Sequence, residues 1–312
     1  MLLVTLFVGG SATAGLLIAT RDIVDSLPRV PGVAEVLSPA NPDVENFLLV
    51  GSDSRAEGDP NTGEVGDVTN SRSDTIMVLR ADKTTGTAAL LSIPRDLYVE
   101  RADGTSGRIN GAYNDGPGAL TQTVQSALGI PVHHYIEVDF VGFKDLVDAL
   151  GGVEMCFMFP TRDLNTGLNI EQPGCHVLEG VEALAFARSR KYEEFREGEW
   201  RREPTADIGR TARQRTFVDR ALHKALDRVS ADPLAVGELT TALGSALGID
   251  EELDPVGAAG TLRAAIGAGL STYELPVFGD DVDGASVLRL ADGADAVLDY
   301  FGGRSNLPPP KS

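Results

Sequence analysis

Arginine recurs at the ends of the apolar runs in this chain, beside carboxylates and small polar residues. Gly51-Ser52-Asp53-Ser54-Arg55 follows the run Asn46 to Val50, Arg72-Ser73-Asp74 precedes Thr75 to Leu79, and Pro94-Arg95-Asp96 follows Ala88 to Ile93. Further along come Arg108-Ile109-Asn110 with Tyr113, then Arg188-Ser189-Arg190, then Asp207-Ile208-Gly209-Arg210 with Arg213 and Gln214. Between positions 188 and 215 nine basic residues stand against six acidic ones, a local charge of +3 in a chain of net charge −19. Guanidinium forks match phosphate oxygens bidentately and stay charged, so these arginines suit a phosphate or pyrophosphate ligand. Asp53 and Asp74, each near an arginine, suit a hard divalent cation such as Mg²⁺ or Mn²⁺, which takes one or two carboxylates together with substrate phosphate. Any one of these arginines alone reads as a surface ion pair. Their recurrence at the ends of several elements is what points to a site.

Other chemistries lack their signatures. No GxxxxGK[ST], GxGxxG or GxSxG is present, which disfavours a nucleotide-fuelled or serine-triad enzyme. His133, His134, His176 and His223 form no ligand pattern and read as structural. A charge of −19 repels a polyanion over most of the surface, so no nucleic acid partner is expected.

Elements must position these residues, and the apolar pattern supplies them. The three runs named above are short and β-rich and are divided by turn signals such as Lys83-Thr84-Thr85-Gly86, which makes them buried strands. Helical spacing covers Ala119 to Leu128 and Phe140 to Leu150, with a strand at Tyr135 to Val138 between them. Helix-favouring Leu178 to Ala187 leads into Arg188, and Asp207 to Val229 is the clearest helix, with Phe217, Val218, Ala221, Leu222 and Leu226 recurring at three and four. Further helices are expected over 233–247, 255–268 and Ala294 to Phe301, and strands over Ser271 to Val277 and Ser286 to Leu290. Strands interleaved with helices argue a layered α/β domain. A polar stretch from Ala56 to Asn70 reads as a loop.

Leu2 to Ala19 carries no charge, and its length as a helix, roughly 27 Å, just spans a hydrocarbon core. An uncleaved anchor is the expectation. The rival is a signal peptide cleaved after Ala12-Thr13-Ala14, against which the apolar run continues through Leu16, Leu17 and Ile18. Residues 21–43 carry Pro28, Pro31, Pro39 and Pro42 and read as a stalk, and 304–312 as a proline-rich tail. In an exported domain Cys156 and Cys175 would pair, the alternative being two separate buried thiols.

The ordered set of motifs resembles the LytR-CpsA-Psr family of bacterial cell-wall glycopolymer transferases. The resemblance rests on NFLLVGSDSR from Asn46, RSDTIMV from Arg72, LLSIPRDLYV from Leu90, RINGAY from Arg108, HHYIEVDFVGF from His133, LVDALGGV from Leu146, AFARSR from Ala185 and DIGRTARQR from Asp207. The loop 56–70 and the acidic insert 193–203 have no obvious family template. The expected fold is a layered α/β/α domain with a central mixed sheet over 44–303, behind one N-terminal transmembrane helix. The resemblance implies a single-pass membrane protein with an extracytoplasmic domain. Such a protein moves a polymer from a polyprenyl pyrophosphate carrier onto peptidoglycan. Arg72, Arg95, Arg188, Arg190 and Arg210 then form the pyrophosphate clamp, with Asp207 as base or as orienter of Arg210. Asp53 and Asp74 hold Mg²⁺, and Arg55, Arg108, Asn110, Tyr113, Arg213 and Gln214 bind substrate. A lipid tail needs an apolar slot, for which Leu120, Val124, Leu128, Val141, Phe143, Leu146 and Val147 serve either as slot or as plain core. A pyrophosphatase using the same clamp, or a non-catalytic receptor for wall lipid, are the alternatives.

Overall fold

The computed structural model describes residues 27–52, 73–204, 206–231, 247–306 and 308–309. Three antiparallel strands form the spine: β1 (Val44–Ser52), β2 (Ser73–Asp82) and β3 (Thr87–Ile93). The hairpin β4 (Tyr98–Glu100) and β5 (Ser106–Arg108) leads into a 3-10 helix, Ile109–Asp115, and then α1 (Pro117–Leu128). Pro117 opens α1 where its missing N–H costs nothing, and Gly129 closes it at φ 64°, a left-handed conformation that suits glycine. Strand β6 (His134–Val138) then runs parallel to β1 and feeds α2 (Phe140–Ala149). Asp139 caps that helix by accepting the Gly142 N–H at 2.7 Å.

A small lobe follows. It comprises β7 (Val153–Phe157), β8 (Thr161–Asp163), β9 (Leu168–Ile170), β10 (Gly174–Leu178), α3 (Gly180–Arg188), β11 (Glu193–Arg196) and β12 (Glu199–Arg202). The chain returns through α4 (Ala206–Ala231), β13 (Leu247–Ile249), α5 (Pro255–Ala268) and β14 (Leu270–Glu274), and ends with β15 (Val277–Val282), β16 (Ala285–Leu290) and α6 (Ala294–Phe301). The central sheet has six strands in the order β13-β6-β1-β2-β3-β14. It is mixed, because β6 and β14 lie parallel to their neighbours β1 and β3 while the other pairs are antiparallel.

Helices cover both faces, so β1 and β2 are apolar almost throughout instead of alternating. On one face Leu48, Val50, Ile76, Val78, Leu91 and Ile93 pack with Leu120, Val124, Val297 and Phe301. On the other, Phe47, Met77, Leu79 and Leu90 meet Ala265 and Ile266, with Val218 and Leu222 at the margin. Leu120, Val124 and Leu128 are therefore core. Val147 and Phe143 belong to a third cluster that joins α2, α3, α4 and the small lobe around Phe186 and Phe217. As an apolar slot, then, five of the seven side chains offered for it are occupied in packing.

The segment read as a stalk is part of the body from Leu27 onward. Leu27 and Val33 are buried, residues 28–30 pair with Ile249 through two backbone hydrogen bonds, and the Ser38 N–H reaches the Val132 carbonyl at 2.7 Å. The prolines set an extended backbone, but the apolar residues between them have a sheet edge and a core to bury against, and that burial decides the outcome. The helix expected over 233–247 and the anchor over Leu2 to Ala19 lie outside the described residues, apart from Leu247, which is in β13. Among the described residues no helix is long and apolar enough to cross a membrane.

Cys156 and Cys175 face each other across the antiparallel pair β7–β10 and are joined as a disulfide. Glu154 and these two sulfurs form the one cluster with metal-like spacing among the described residues, and the sulfurs are spent on each other.

Candidate active site

The strand registers bring the ends of several strands to one edge of the sheet. Gly51 lies beside Val138 on one side and Thr75 on the other, Ile76 beside Ile93, and Ser92 beside Glu274. The carboxyl ends of β1, β3, β6 and β14 thus share an edge with the amino end of β2. Ligands of open α/β sheets bind outside the carboxyl ends of strands. Asp74 holds a special place there. Ser52 pairs with Ser73 and Gly51 with Thr75, so Asp74 is the extra residue of a bulge, a feature that re-aims a side chain and is frequent beside active sites. Asp53, Arg55 and Arg72 lie outside the described residues, as do the side chains of Asp74 and Asp207.

Arg188 is the last residue of α3, and Ser189 turns the chain out of the helix at φ −59°, ψ 125°. An i, i+2 arginine pair can share one face only where the backbone leaves the helix in this way. The Arg188 guanidinium lies 4.4 Å from the ring centroid of Phe140, the first residue of α2. The turn behind it is held by one carboxylate. Asp163 Oδ2 accepts Ser189 Oγ at 2.7 Å, the Arg190 N–H at 3.0 Å and the Lys191 N–H at 2.8 Å, while Oδ1 accepts the Asn165 N–H at 2.9 Å. Burial alone would raise the Asp163 carboxyl. The hydrogen bonds from Ser189, Lys191, Asn165 and Arg190 outweigh it and hold the group below the usual carboxylate range.

From the other side α4 reaches the same turn. Arg213 donates to the Ser189 carbonyl at 2.7 Å, pairs with Glu203 and stacks on Tyr192 at 4.3 Å, and Gln214 donates to the Ala187 carbonyl at 3.0 Å. Arg213 and Gln214 are 9% and 7% exposed. Expected to touch substrate, both hold the carbonyls on either side of Arg188. Arg210, 2% exposed, is likewise inside the protein. Gly209 permits this packing, since a Cβ there would collide with the Glu203 carboxylate that Arg213 holds. Arg215 ties α4 to the sheet edge through Glu274.

The charge cluster of 188–215 divides on inspection of the fold. Arg196, Arg201 and Arg202 sit in the β11–β12 hairpin opposite Glu199, Glu194 and Glu193, opposite-charge cross-strand pairs that stabilise a hairpin. In the sequence this segment reads as an acidic insert with no obvious family template. Its signal was Glu197-Gly198, both at positive φ (54° and 86°), a two-residue turn between EEFR and EWRR. Arg213 and Arg215 are also paired to acids, while the Arg188 guanidinium lies over the ring of Phe140, just past the carboxyl end of β6.

A second group stands on the opposite face of the sheet at the same edge. The Asn110 N–H bonds the Arg95 carbonyl at 3.2 Å, and the Arg95 side chain lies 3.6 Å from Asp96. Arg108 reaches Asp96 at 3.4 Å and the Ser286 carbonyl at 2.6 Å, which ties the β5 end to the β15–β16 hairpin. Tyr113 donates to Glu137 Oε1, and Tyr135 donates to Glu137 Oε2 at 2.8 Å. Burial first, then the hydrogen bond to Glu137, pushes the Tyr113 hydroxyl far up, so it is a neutral donor. Glu137 escaped the sequence reading, as did Asp163 and Phe140. For Glu137 the available signal was a carboxylate two residues before a helix cap, at the end of a buried strand.

The chain belongs to the LytR_cpsA_psr family, whose model matches residues 24–295. A probable cell wall biosynthesis protein LcpB from Corynebacterium glutamicum is 40% identical over 191 residues, covering 60% of this chain and 43% of that protein. A polyisoprenyl-teichoic acid–peptidoglycan teichoic acid transferase TagU from Oceanobacillus iheyensis is 31% identical over 251 residues, covering 78% and 70%. The first match therefore spans less than half of the relative's length. Among solved structures, a LytR-Csp2A-Psr enzyme from Actinomyces oris superposes with a TM-score of 0.72 at 23% identity, covering 88% of this chain and 96% of that one. That likeness supports the α/β fold with its central mixed sheet.

Proposed function

We propose that this protein is a phosphotransferase that moves a polyprenyl-pyrophosphate-linked wall glycopolymer onto peptidoglycan through a phosphodiester bond. The observation that carries the reading is the preorganised Arg188–Arg190 turn at the sheet edge, fixed by Asp163 from below and by Arg213 and Gln214 from behind. The printed name of the TagU relative supports the same class. A donor that already contains a phosphoanhydride needs no ATP, consistent with a sequence that has no P-loop.

In the proposed reaction a sugar hydroxyl of the acceptor attacks the phosphorus nearer the polymer. A new P–O bond forms, the bond to the polyprenyl phosphate oxygen breaks, and the hydroxyl proton is lost. Arg188, Arg190 and Arg95, with Arg72, hold and neutralise the phosphoryl oxygens, since phosphoryl transfer depends mostly on positioning and electrostatics. Arg210 and Asp207 support them from α4. Asp53 and Asp74 are proposed to hold Mg²⁺. The donor chemistry fits, because the bulge places Asp74 opposite Gly51 and Ser52, Asp53 is the next residue in sequence, and two carboxylates are a hard oxygen pair. A bound ion would neutralise charge developing on the phosphoryl oxygens. The segment Leu2 to Ala19 is proposed as a single anchor that keeps the body outside the cell membrane, beside its lipid donor. The test is to incubate the purified chain with a defined polyprenyl-pyrophosphate glycan, with and without peptidoglycan. Glycan joined to peptidoglycan by a phosphodiester is expected; release of free phosphorylated glycan in both arms would mark a hydrolase and overturn the proposal.

A further inference from the structure

A cleft of about 370 Å³ opens at the carboxyl end of β6, lined by Arg29, Pro31, Tyr113, Glu137, Asp139 and Leu247 among others. Its size falls in the range of small-ligand sites, roughly 300 to 1,000 Å³. Its walls come from three distant parts of the chain: the segment before β1, the 3-10 helix with the start of α1, and the edge formed by β6 and β13. Two carboxylates line it, and the one guanidinium in its wall, Arg29, donates to the carbonyls of Asp250 and Leu253 at 2.8 and 3.1 Å. A pyrophosphate is repelled by such a lining. A neutral, hydroxyl-rich ligand is not, because an ionised carboxylate only accepts hydrogen bonds and sugar hydroxyls donate them. Glu137 has about four lone-pair directions and two tyrosines use two of them, so acceptor capacity is left for a ligand. Proline rings and Leu247 supply apolar walls for the C–H faces of a sugar ring.

The cleft also adjoins the arginines through two short links. Asp139 in its wall is followed directly by Phe140, on whose ring Arg188 stacks at 4.4 Å. Tyr113 in its wall belongs to the same 3-10 helix as Asn110, whose N–H holds the Arg95 carbonyl. We infer that this cleft seats the acceptor sugar of peptidoglycan, with Glu137 accepting its hydroxyl hydrogen bond beside the phosphate held by Arg95 and Arg188. The inference rests on the transferase reading and assigns its second substrate a place. Glu137 is poised there because Tyr113 and Tyr135 fix both of its oxygens.

The test uses the full chain in detergent and a soluble peptidoglycan disaccharide-peptide as probe, titrated by calorimetry. Separately, transfer is followed with donor and acceptor each varied. Glu137→Gln replaces the carboxylate, and Leu247→Trp fills the cleft without touching the hydrogen-bonded group, so one variant reads the site if the other fails to fold. Both are expected to weaken probe binding and raise the acceptor KM about tenfold or more, the scale of one charge-assisted hydrogen bond, with the donor KM unchanged. Wild-type probe binding in both variants, or a raised donor KM with an unchanged acceptor KM, would overturn the assignment. A wild-type chain that binds the probe yet makes no linked product would sink the transferase reading and leave the cleft standing. Failure of the wild-type chain to bind the probe while it still transfers glycan would do the reverse.

Discussion

Replacing Asp163 by asparagine should cripple the proposed transfer without touching any group placed at the substrate. The wild-type carboxylate is fully buried and accepts four hydrogen bonds, three of them from consecutive residues Ser189, Arg190 and Lys191. An amide offers one carbonyl oxygen and one NH₂ group. If the oxygen stays with the three donors, the NH₂ is set against the Asn165 N–H; turned the other way, three donors lose their acceptor. In the better orientation one hydrogen bond is lost, and three charge-assisted bonds become neutral ones. Charged bonds contribute about 1.5–3 kcal/mol and neutral ones about 0.5–1.5 kcal/mol, so roughly 1 kcal/mol is lost for each weakened bond. With partial relaxation the cost is about 3 kcal/mol. At about 2–4 °C per kcal/mol for a sizeable domain, the melting temperature should fall by about 6–12 °C. The functional loss should be larger than stability explains, because a displacement near 1 Å of a group that orients substrate can cost about a hundredfold in rate. The assay is donor turnover well below both melting temperatures, together with a double-mutant cycle against Arg190→Lys. Coupling of about 1 kcal/mol or more is expected, since both changes act on one turn. Wild-type turnover in the folded Asp163→Asn chain, or strict additivity with Arg190→Lys, would refute the claim that Asp163 positions the arginine turn.

Other outcomes follow from the same structure. Arg188→Lys should keep the melting temperature within a few degrees yet lose about a hundred- to a thousandfold in transfer, because lysine keeps the charge and loses the planar fork; near-wild-type transfer would reduce Arg188 to an ordinary helix-end charge. Asp74→Asn should weaken Mn²⁺ binding, read by electron paramagnetic resonance, and unchanged Mn²⁺ affinity would remove Asp74 from the metal pair. Mass spectrometry of unreduced protein should show the Cys156 and Cys175 peptides linked, and replacing both by serine should cost roughly 3 kcal/mol in the chain-entropy model; two freely alkylated thiols would contradict the pairing. The buried His133 ring, which accepts the Asn46 N–H, is held below its ordinary pKa by burial and then by the neighbouring His134. Its unfolded form takes up a proton first as pH falls below about 6.5, so stability is complete above that value and declines beneath it. The depressed Asp163 carboxyl adds a second loss below about pH 4, and a melting temperature flat from pH 7 to 5 would count against the first of these steps.

The central sheet was legible because its strands are buried on both faces and therefore read as unbroken apolar runs. Asn46 to Val50 and Ala88 to Ile93 could hardly be anything else once bounded by turn residues, and the helices that follow kept their apolar period and their caps at Pro117, Gly129 and Asp139. The small lobe has none of those advantages. Its strands are three to five residues long, and β11 and β12 are held by charge pairs, a Phe195–Trp200 cross-strand pair and a Glu197-Gly198 turn. A composition-based reading sees only a solvated charge run there. Residues 27–38 misled for the complementary reason: four prolines within 21–43 signal a linker, whereas the apolar side chains spaced between them find a sheet edge and a core to bury against.

At the site, residue type was legible and residue role was not. An arginine that contacts phosphate and an arginine that holds a carbonyl require the same side chain, and the sequence does not state which carbonyls a helix will approach. Arg188, proposed at the phosphate, and Arg213 illustrate the difference. Both were expected at the ligand, but α4 crosses behind the end of α3, so Arg213 meets the orphan carbonyl of Ser189 and Gln214 that of Ala187. The last carbonyls of a helix have no partner within the helix and must find one elsewhere. Supplying those partners from side chains stiffens the segment that follows, and that segment begins with Arg190. The same logic explains Asp163, a carboxylate that gathers the N–H groups of the turn where Arg213 and Gln214 gather its carbonyls. A guanidinium on a turn whose backbone donors and acceptors are satisfied by buried side chains meets its ligand with little reorganisation, which is the condition under which fixed charge lowers a barrier most. Sequence order scatters these contributors over positions 163, 189, 213 and 214, so the preorganised turn becomes visible only when the fold closes.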